Sequence, residues 1–158
     1  MIRPGTPGDA TGVARVQVET WQIAYAHALP GEQLQAMSVE DHARRWRAWP
    51  PTLVAEREGK IVGFVAVGAG RDEESDGELY TIYVHPDHGG AGIGRALIGA
   101  GEERRRELGH KEAVLWVLKG NPRTRRFYEL AGWSADGTGR VGELFGFQLP
   151  EVRYVKNL

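Results

Sequence analysis

The sequence predicts a mixed α/β fold: a central, mostly antiparallel sheet with one parallel strand pair and helices on both faces. Three observations carry this. Leu53–Glu58 and Lys60–Ala69 are β-rich runs joined at Glu58-Gly59, which is hairpin chemistry and makes them antiparallel. Leu79–Val84, a glycine-rich turn, a helical stretch and then Glu112–Leu118 read as strand–helix–strand, a right-handed parallel crossover. Apolar residues at helical spacing follow Asp9 and Ser38, which adds helices to the sheet.

The bulk properties fit one ordinary globule, expected to be a single domain over residues 1–158. Apolar residues make up 41% of the 158 and charged residues 26%. A net charge of −1 gives no sign of bulk attraction to nucleic acid or an anionic membrane, and neither is expected as a partner. With no cysteine, disulfides, thiolate metal sites and a cysteine nucleophile are excluded. The opening MIRPGTPGDA has no apolar leader, and no run approaches the ~20 residues of a membrane span. A cytoplasmic protein is the expectation.

Taken in order, Ile2-Arg3 forms a short strand stopped by Pro4, and Thr6 to Gly8 a turn. Asp9 caps a helix running to about Ala28, with Val13, Val16, Thr20 or Trp21, and Ala24 along one face. Trp21 and Tyr25 are four apart and share a face. Leu29-Pro30-Gly31 breaks that helix. Ser38 and Asp41 open a second helix as a capping box, and Pro50-Pro51 closes it. Arg44, Arg45 and Arg47 face solvent there, while Trp46 and Trp49 pack. Gly63 marks a bulge or a close backbone approach. Gly70 to Gly77 is an acidic loop, either merely solvated or attractive to cationic amines. The central helix runs to about Leu108, and Arg104, Arg105 and Arg106 suit its C-terminal dipole and solvent. Glu112–Leu118 is apolar enough to be buried on both faces. Asn121-Pro122 starts a last helix that ends at Gly132. Two antiparallel strands, Phe145 to Leu149 and Val152 to Lys156, finish the chain.

The chain is organised around Glu78–Leu97, ELYTIYVHPDHGGAGIGRAL. Glycine permits positive φ and lets a ligand approach the main chain. A helix start presents unpaired N–H groups at the positive end of the dipole. A strand, a glycine turn and a helix N-terminus together make an anion site, most often for phosphate. No Lys-Ser or Lys-Thr follows these glycines, which excludes a P-loop, and G-x-G-x-x-G fails at Arg95 and at Leu97.

What the stretch does resemble is the acyl-coenzyme A loop of the GNAT superfamily of N-acyltransferases. The family pattern, Q/R-x-x-G-x-G/A, falls on Gly89, Gly90, Ala91, Gly92, Ile93 and Gly94, with Gly89 where Gln or Arg is usual. Asn121, Phe127, Tyr128, Gly132 and Trp133 are similar to the second motif of that family, in the expected order. The resemblance covers Leu53 to Trp133 well and the two ends loosely. It implies a GNAT-like sheet whose two parallel strands splay apart, with the pantetheine arm in the gap, pairing with the backbone of Ile82, Tyr83 and Val84 as an added strand would. It further implies that the pyrophosphate takes backbone amides around Gly89, Gly90, Gly92, Gly94 and Arg95, and that Asn121 bonds the pantetheine; an N-cap is an equal role for that asparagine.

The implied reaction is direct attack of a primary amine on the thioester of acetyl-CoA. The resemblance offers Glu78 as a base acting through water and Tyr128 as the acid to the departing thiolate, with Asp76 and Glu143 in reserve for the base. Phe127 is assigned to the core and the Tyr128 phenol to the cleft. Trp21 and Tyr25 either pack the core or wall the amine site. His85 and His88 lack the partners a metal needs, so no metal is expected. The acceptor is a small-molecule or peptide amine, and a homodimer is compatible with the reading. Two alternatives stay open: a non-catalytic acetyl-CoA-binding regulatory module, and a protein or peptide N-acetyltransferase whose acidic loop docks a basic segment.

Overall fold

The computed structural model describes residues 1–71, 76–144 and 146–158. Among them the strands form a seven-stranded sheet in the order β1-β2-β3-β4-β5-β7-β6. The strands are β1 (Ile2–Pro4), β2 (Leu53–Arg57), β3 (Lys60–Ala69), β4 (Gly77–Val84), β5 (Glu112–Leu118), β6 (Ser134–Leu144) and β7 (Phe147–Asn157). The helices are α1 (Ala10–Ala24), α2 (Gly31–Gln35), α3 (Val39–Ala48), α4 (Ile93–Glu107) and α5 (Pro122–Leu130). β4 and β5 are parallel, with Gly77 opposite Ala113 and Glu78 opposite Val114. The pairs β1–β2, β2–β3, β5–β7 and β6–β7 are antiparallel, as the mixed sheet predicted from sequence requires. No helix among the described residues is long and apolar enough to cross a membrane.

The chain divides into two compact units, Met1–Ala66 with Ile82–Gly101, and Val67–Thr81 with Glu102–Leu158. In the first, Val13 and Val16 of α1 pack with Val54 of β2 and with Ile61 and Phe64 of β3. Trp46 of α3 covers this cluster edge-on to Phe64 and donates its indole N–H to Gln17 Oε1 at 2.8 Å. The hairpin turn has positive φ at both Glu58 (51°) and Gly59 (76°), the signature of a type I′ turn. Arg3 grips Asp9 with two 2.9 Å bonds and holds its carboxyl down at about 2. Asp9 therefore does not cap α1 as expected; it also accepts from the Thr6 amide, closing the 3-10 turn Pro7–Asp9.

Both readings of Gly63 hold. The β2–β3 register shifts between Ala55 and Glu56, and a Cβ at Gly63 would lie 2.8 Å from the Tyr83 carbonyl oxygen. Because that neighbour is backbone, Gly63→Ala should destabilise the protein by about 1–3 kcal/mol, seen as a lower urea midpoint at unchanged m-value. An unshifted midpoint would mean that β4 moves aside freely.

Three expectations near α1 and α3 need correction. α1 ends at Ala24 and not near Ala28; Ala24, Ala26, His27 and Ala28 are exposed, so no buried face rewards another turn. The Pro30-Gly31 break is itself followed by the short helix α2, anchored by buried Leu34. Trp49 is 80% exposed: the backbone leaves helical conformation there, ahead of Pro50. Ser38 does cap α3, accepting from the Asp41 amide.

In the second unit, β5 pairs with β7 along its whole length, from Glu112 opposite Asn157 to Leu118 opposite Glu151. The expected strands Phe145–Leu149 and Val152–Lys156 turn out to be one strand, β7, and its partner β6 lies earlier in the chain. Pro150, which lies between the two expected strands, sits within β7 opposite Val141, while Gly137, Gly139 and Gly142 and a register shift between Ala135 and Gly139 hide the alternation of β6. Phe145 of the expected strand lies outside the described residues, as do 72–75 of the acidic loop. Glu102, buried on α4, accepts from Trp133 Nε1 (3.0 Å) and Lys156 Nζ (2.8 Å). Arg104 and Arg106 are exposed as expected, but Arg105 is buried.

Candidate active site

In the first unit the glycine turn is built as the sequence suggests. β4 ends at Val84, and a 3-10 turn, Pro86–His88, follows. Gly90 and Gly92 have φ of 78° and 80°, and α4 begins at Ile93. The first bond of the helix runs from the Ala96 amide to the Gly92 carbonyl at 3.0 Å, so the amides before it start the helix and point outward. A Cβ added at Gly90 or Gly92 would meet nothing within 4 Å. Conformation and not crowding therefore demands glycine here, and the outer side of the turn is open to an anion. Buried Leu97 and Ile98 anchor α4 beneath it.

The same unit holds Trp21 and Tyr25, ring centroids 4.7 Å apart. Trp21 is buried and donates its indole N–H to the Tyr83 hydroxyl at 2.7 Å; Tyr25 is half-buried. Tyr83, singled out only for its backbone, thus ties β4 to α1 through its side chain, and its ring packs on Phe64.

In the second unit Glu78 is fully buried at the start of β4. Its Oε1 accepts from the Arg71 amide at 3.0 Å, and its Oε2 accepts from Arg71 Nε at 2.9 Å and from Nη2. The bond to Glu78 pushes the Arg71 guanidinium further up. That guanidinium also lies over the Tyr80 ring, 4.8 Å from its centroid. Sequence gave no sign of this clamp, because Arg71 stands seven residues away across the acidic loop.

The reserve carboxylates are otherwise engaged. Asp76 accepts from the Lys111 and Glu112 amides, which hold its carboxyl below the usual range, and exposed Glu143 accepts from Gln148. Asn121 caps α5, accepting from the Thr124 amide at 3.2 Å. The rings of the α5 pair depart from the expectation that Phe127 takes the core: the Tyr128 ring is buried beside Trp133 and Tyr154, and Phe127 is half-buried. Seated over the β5–β7 pair, Tyr128 has more of the core to meet than Phe127 one position earlier. Among the described residues no group of three or more His, Asp or Glu side chains could hold a metal ion.

A family model, the acetyltransferase (GNAT) family, matches residues 15–133 of this chain, which takes in the latter two-thirds of α1, the glycine turn and α5. The chain belongs to the GNAT acetyltransferase family. It is an N-acetyltransferase by its family and its relatives. The uncharacterized N-acetyltransferase YuaI of Bacillus subtilis is 31% identical over 126 residues, 77% of this chain and 73% of that protein. A mycothiol acetyltransferase of Propionibacterium freudenreichii is 40% identical over 109 residues, 65% of this chain but only 35% of that longer protein. The crystal structure of ribosomal-protein-alanine N-acetyltransferase from Brucella melitensis is similar over 100% of this chain and 99% of that one, with a TM-score of 0.72 and 27% identity.

Proposed function

We propose that residues 1–158 act as one catalytic domain that moves the acetyl group of acetyl-CoA to a primary amine by direct attack. The amine nitrogen bonds to the thioester carbonyl carbon, the C–S bond breaks, the nitrogen gives up a proton, and the departing thiolate takes one up. The observation that carries the reading is the glycine turn, with positive φ at Gly90 and Gly92 opening onto the start of α4 in a chain of this family. The pyrophosphate takes the amides around Gly89, Gly90, Gly92, Gly94 and Arg95. The pantetheine arm pairs with the backbone of Ile82, Tyr83 and Val84 and meets Asn121. Trp21 and Tyr25 wall the acceptor.

Glu78 is the base, acting through a water. Two carboxylate oxygens offer about four acceptor sites, and Arg71 takes three, which leaves one for that water. Tyr128 is the acid. Thiol and phenol have ordinary pKa values near ~8.5 and ~10, so the phenol works chiefly as a hydrogen bond that strengthens as charge grows on sulfur. The acceptor is a small-molecule or peptide amine; the names of similar proteins point to both kinds.

The test is a panel of primary amines, amino acids and lysine-bearing peptides incubated with protein and acetyl-CoA, with release of the coenzyme thiol as the readout. Turnover on one class of amine is expected. Slow hydrolysis alone across the panel would favour a sensor that binds acetyl-CoA without transfer. Tyr128→Phe should lower kcat by at least ~10-fold at nearly unchanged KM for acetyl-CoA, because the ring stays and only the hydroxyl goes. A wild-type rate, with chemistry limiting, would remove Tyr128 from the mechanism.

A further inference from the structure

We infer that His85 is a positioning residue for coenzyme binding, fixing the entry to the glycine turn through its ring nitrogen Nδ1. The inference rests on the proposed coenzyme site. His85 is the residue between β4 and the 3-10 turn, and its side chain is 8% exposed. Beyond the outer approaches of Asp87 Oδ2, 3.7 Å from Nδ1, and of the His88 ring, centroids 6.3 Å apart, four closer contacts converge on it within the first unit. Its amide donates to the Val62 carbonyl of β3 at 2.9 Å, which carries sheet pairing one residue past β4. Its carbonyl accepts from the His88 amide at 2.9 Å, closing the 3-10 turn. Its Nδ1 accepts from the Asp87 amide at 3.2 Å. Its Nε2 faces Glu19 Oε1 of α1 at 3.6 Å.

The third contact is the one that sets direction. A side-chain acceptor bonding the amide two residues ahead is the arrangement by which Asx residues fold a chain into a turn. Here an imidazole does it. With Nδ1 accepting, the ring of neutral His85 carries its proton on Nε2, toward the Glu19 carboxylate. That nitrogen is buried and has no hydrogen-bond partner, so the ring is retained at some cost. Glu19 is itself held by Arg15 Nη1 at 3.4 Å. The Asp87 amide is bonded to Nδ1 in this orientation, and the chain reaches Gly90 three residues later. Releasing it lets the Pro86–His88 turn open and re-aims the glycines without touching α4.

Kinetics with acetyl-CoA as the varied substrate test this. His85→Asn keeps an acceptor of the right reach, Oδ1, and should keep KM for acetyl-CoA and kcat within about twofold of wild type. His85→Ala should raise KM for acetyl-CoA about tenfold, the size of a lost cap, with kcat within about twofold. His85→Phe fills the ring's space without an acceptor and should behave as His85→Ala does; it decides the matter if the alanine variant does not fold. An unchanged KM in folded His85→Phe overturns the inference, and so does an asparagine variant as impaired as the phenylalanine one, since burial of the ring would then be what matters. A KM unmoved in the His85 variants but raised by substitution at Gly92 would overturn only this inference; a KM unmoved by either would overturn the coenzyme site itself.

Discussion

Glu78→Gln should lower turnover by about 10²–10⁴ at neutral pH, with the deficit shrinking as the pH rises. An alkyl amine with an ordinary pKa of ~10.4 arrives mostly charged at pH 7. In the proposed mechanism the wild-type carboxylate, through its water, takes the proton off the bound amine. The glutamine variant must wait for amine that is already neutral, and that fraction grows about tenfold per pH unit below the pKa. Its rate should therefore climb toward alkaline pH more steeply than wild type. Structure matters to the choice of variant. Glutamine has nearly the shape of glutamate, but its amide NH₂ would face a donor of Arg71, so part of the clamp is lost. Arg71 has 60% of its side chain exposed and can be solvated when released, so the fold should survive. Thermal melts of both proteins, beside rates from thiol release between pH 6 and 10, separate the effects. A small loss, equal at every pH, would mean that Glu78 serves only to hold Arg71.

The fold was legible where local chemistry and long-range packing agree. The Glu58-Gly59 turn, the Ser38 cap, the Asn121-Pro122 helix start and the glycine turn each announce themselves within a few residues, and each stands where the sequence puts it. The tail did not, because β6 carries three glycines and a register shift, and β7 a proline; pairing with β5 and β6 overrides what those residues suggest alone. At the site, the main-chain features were readable and the side-chain partners were not. Nothing near Glu78 in sequence says that Arg71 closes on it, since the contact crosses a loop. The Trp21–Tyr83 bond joins residues sixty-two apart, and alternation in β4 says only that Tyr83 has a face. His85 was visible only as a histidine beside the glycine turn, and its capping role depends on a ring orientation that the 3-10 turn around Pro86 creates.

Gly92→Val should weaken coenzyme A binding about 100-fold while the protein stays folded. Gly92 sits at φ 80°, where a side chain costs about 1–3 kcal/mol and a β-branched one lies at the upper end of that range. The strain cannot be blamed on crowding, since a Cβ there has open space around it. α4 stays anchored through buried Leu97 and Ile98, so the strain is relieved locally, by turning the peptide units at the start of the helix. Those units carry the amides that would meet the pyrophosphate, and the new methyl groups stand where phosphate must approach. Lost amide contacts and blocked approach together need to cost only about 2.7 kcal/mol to give 100-fold. Gly99→Ala is the control. Gly99 lies on the exposed face of the same helix with nothing near its Cβ position and an ordinary φ, so alanine should leave coenzyme affinity alone and add about 0.5–1 kcal/mol of stability. Calorimetric titration with coenzyme A on both variants reads the contrast. Wild-type affinity in folded Gly92→Val would remove the glycine turn as the phosphate site, and equal losses in both variants would place the effect in α4 as a whole.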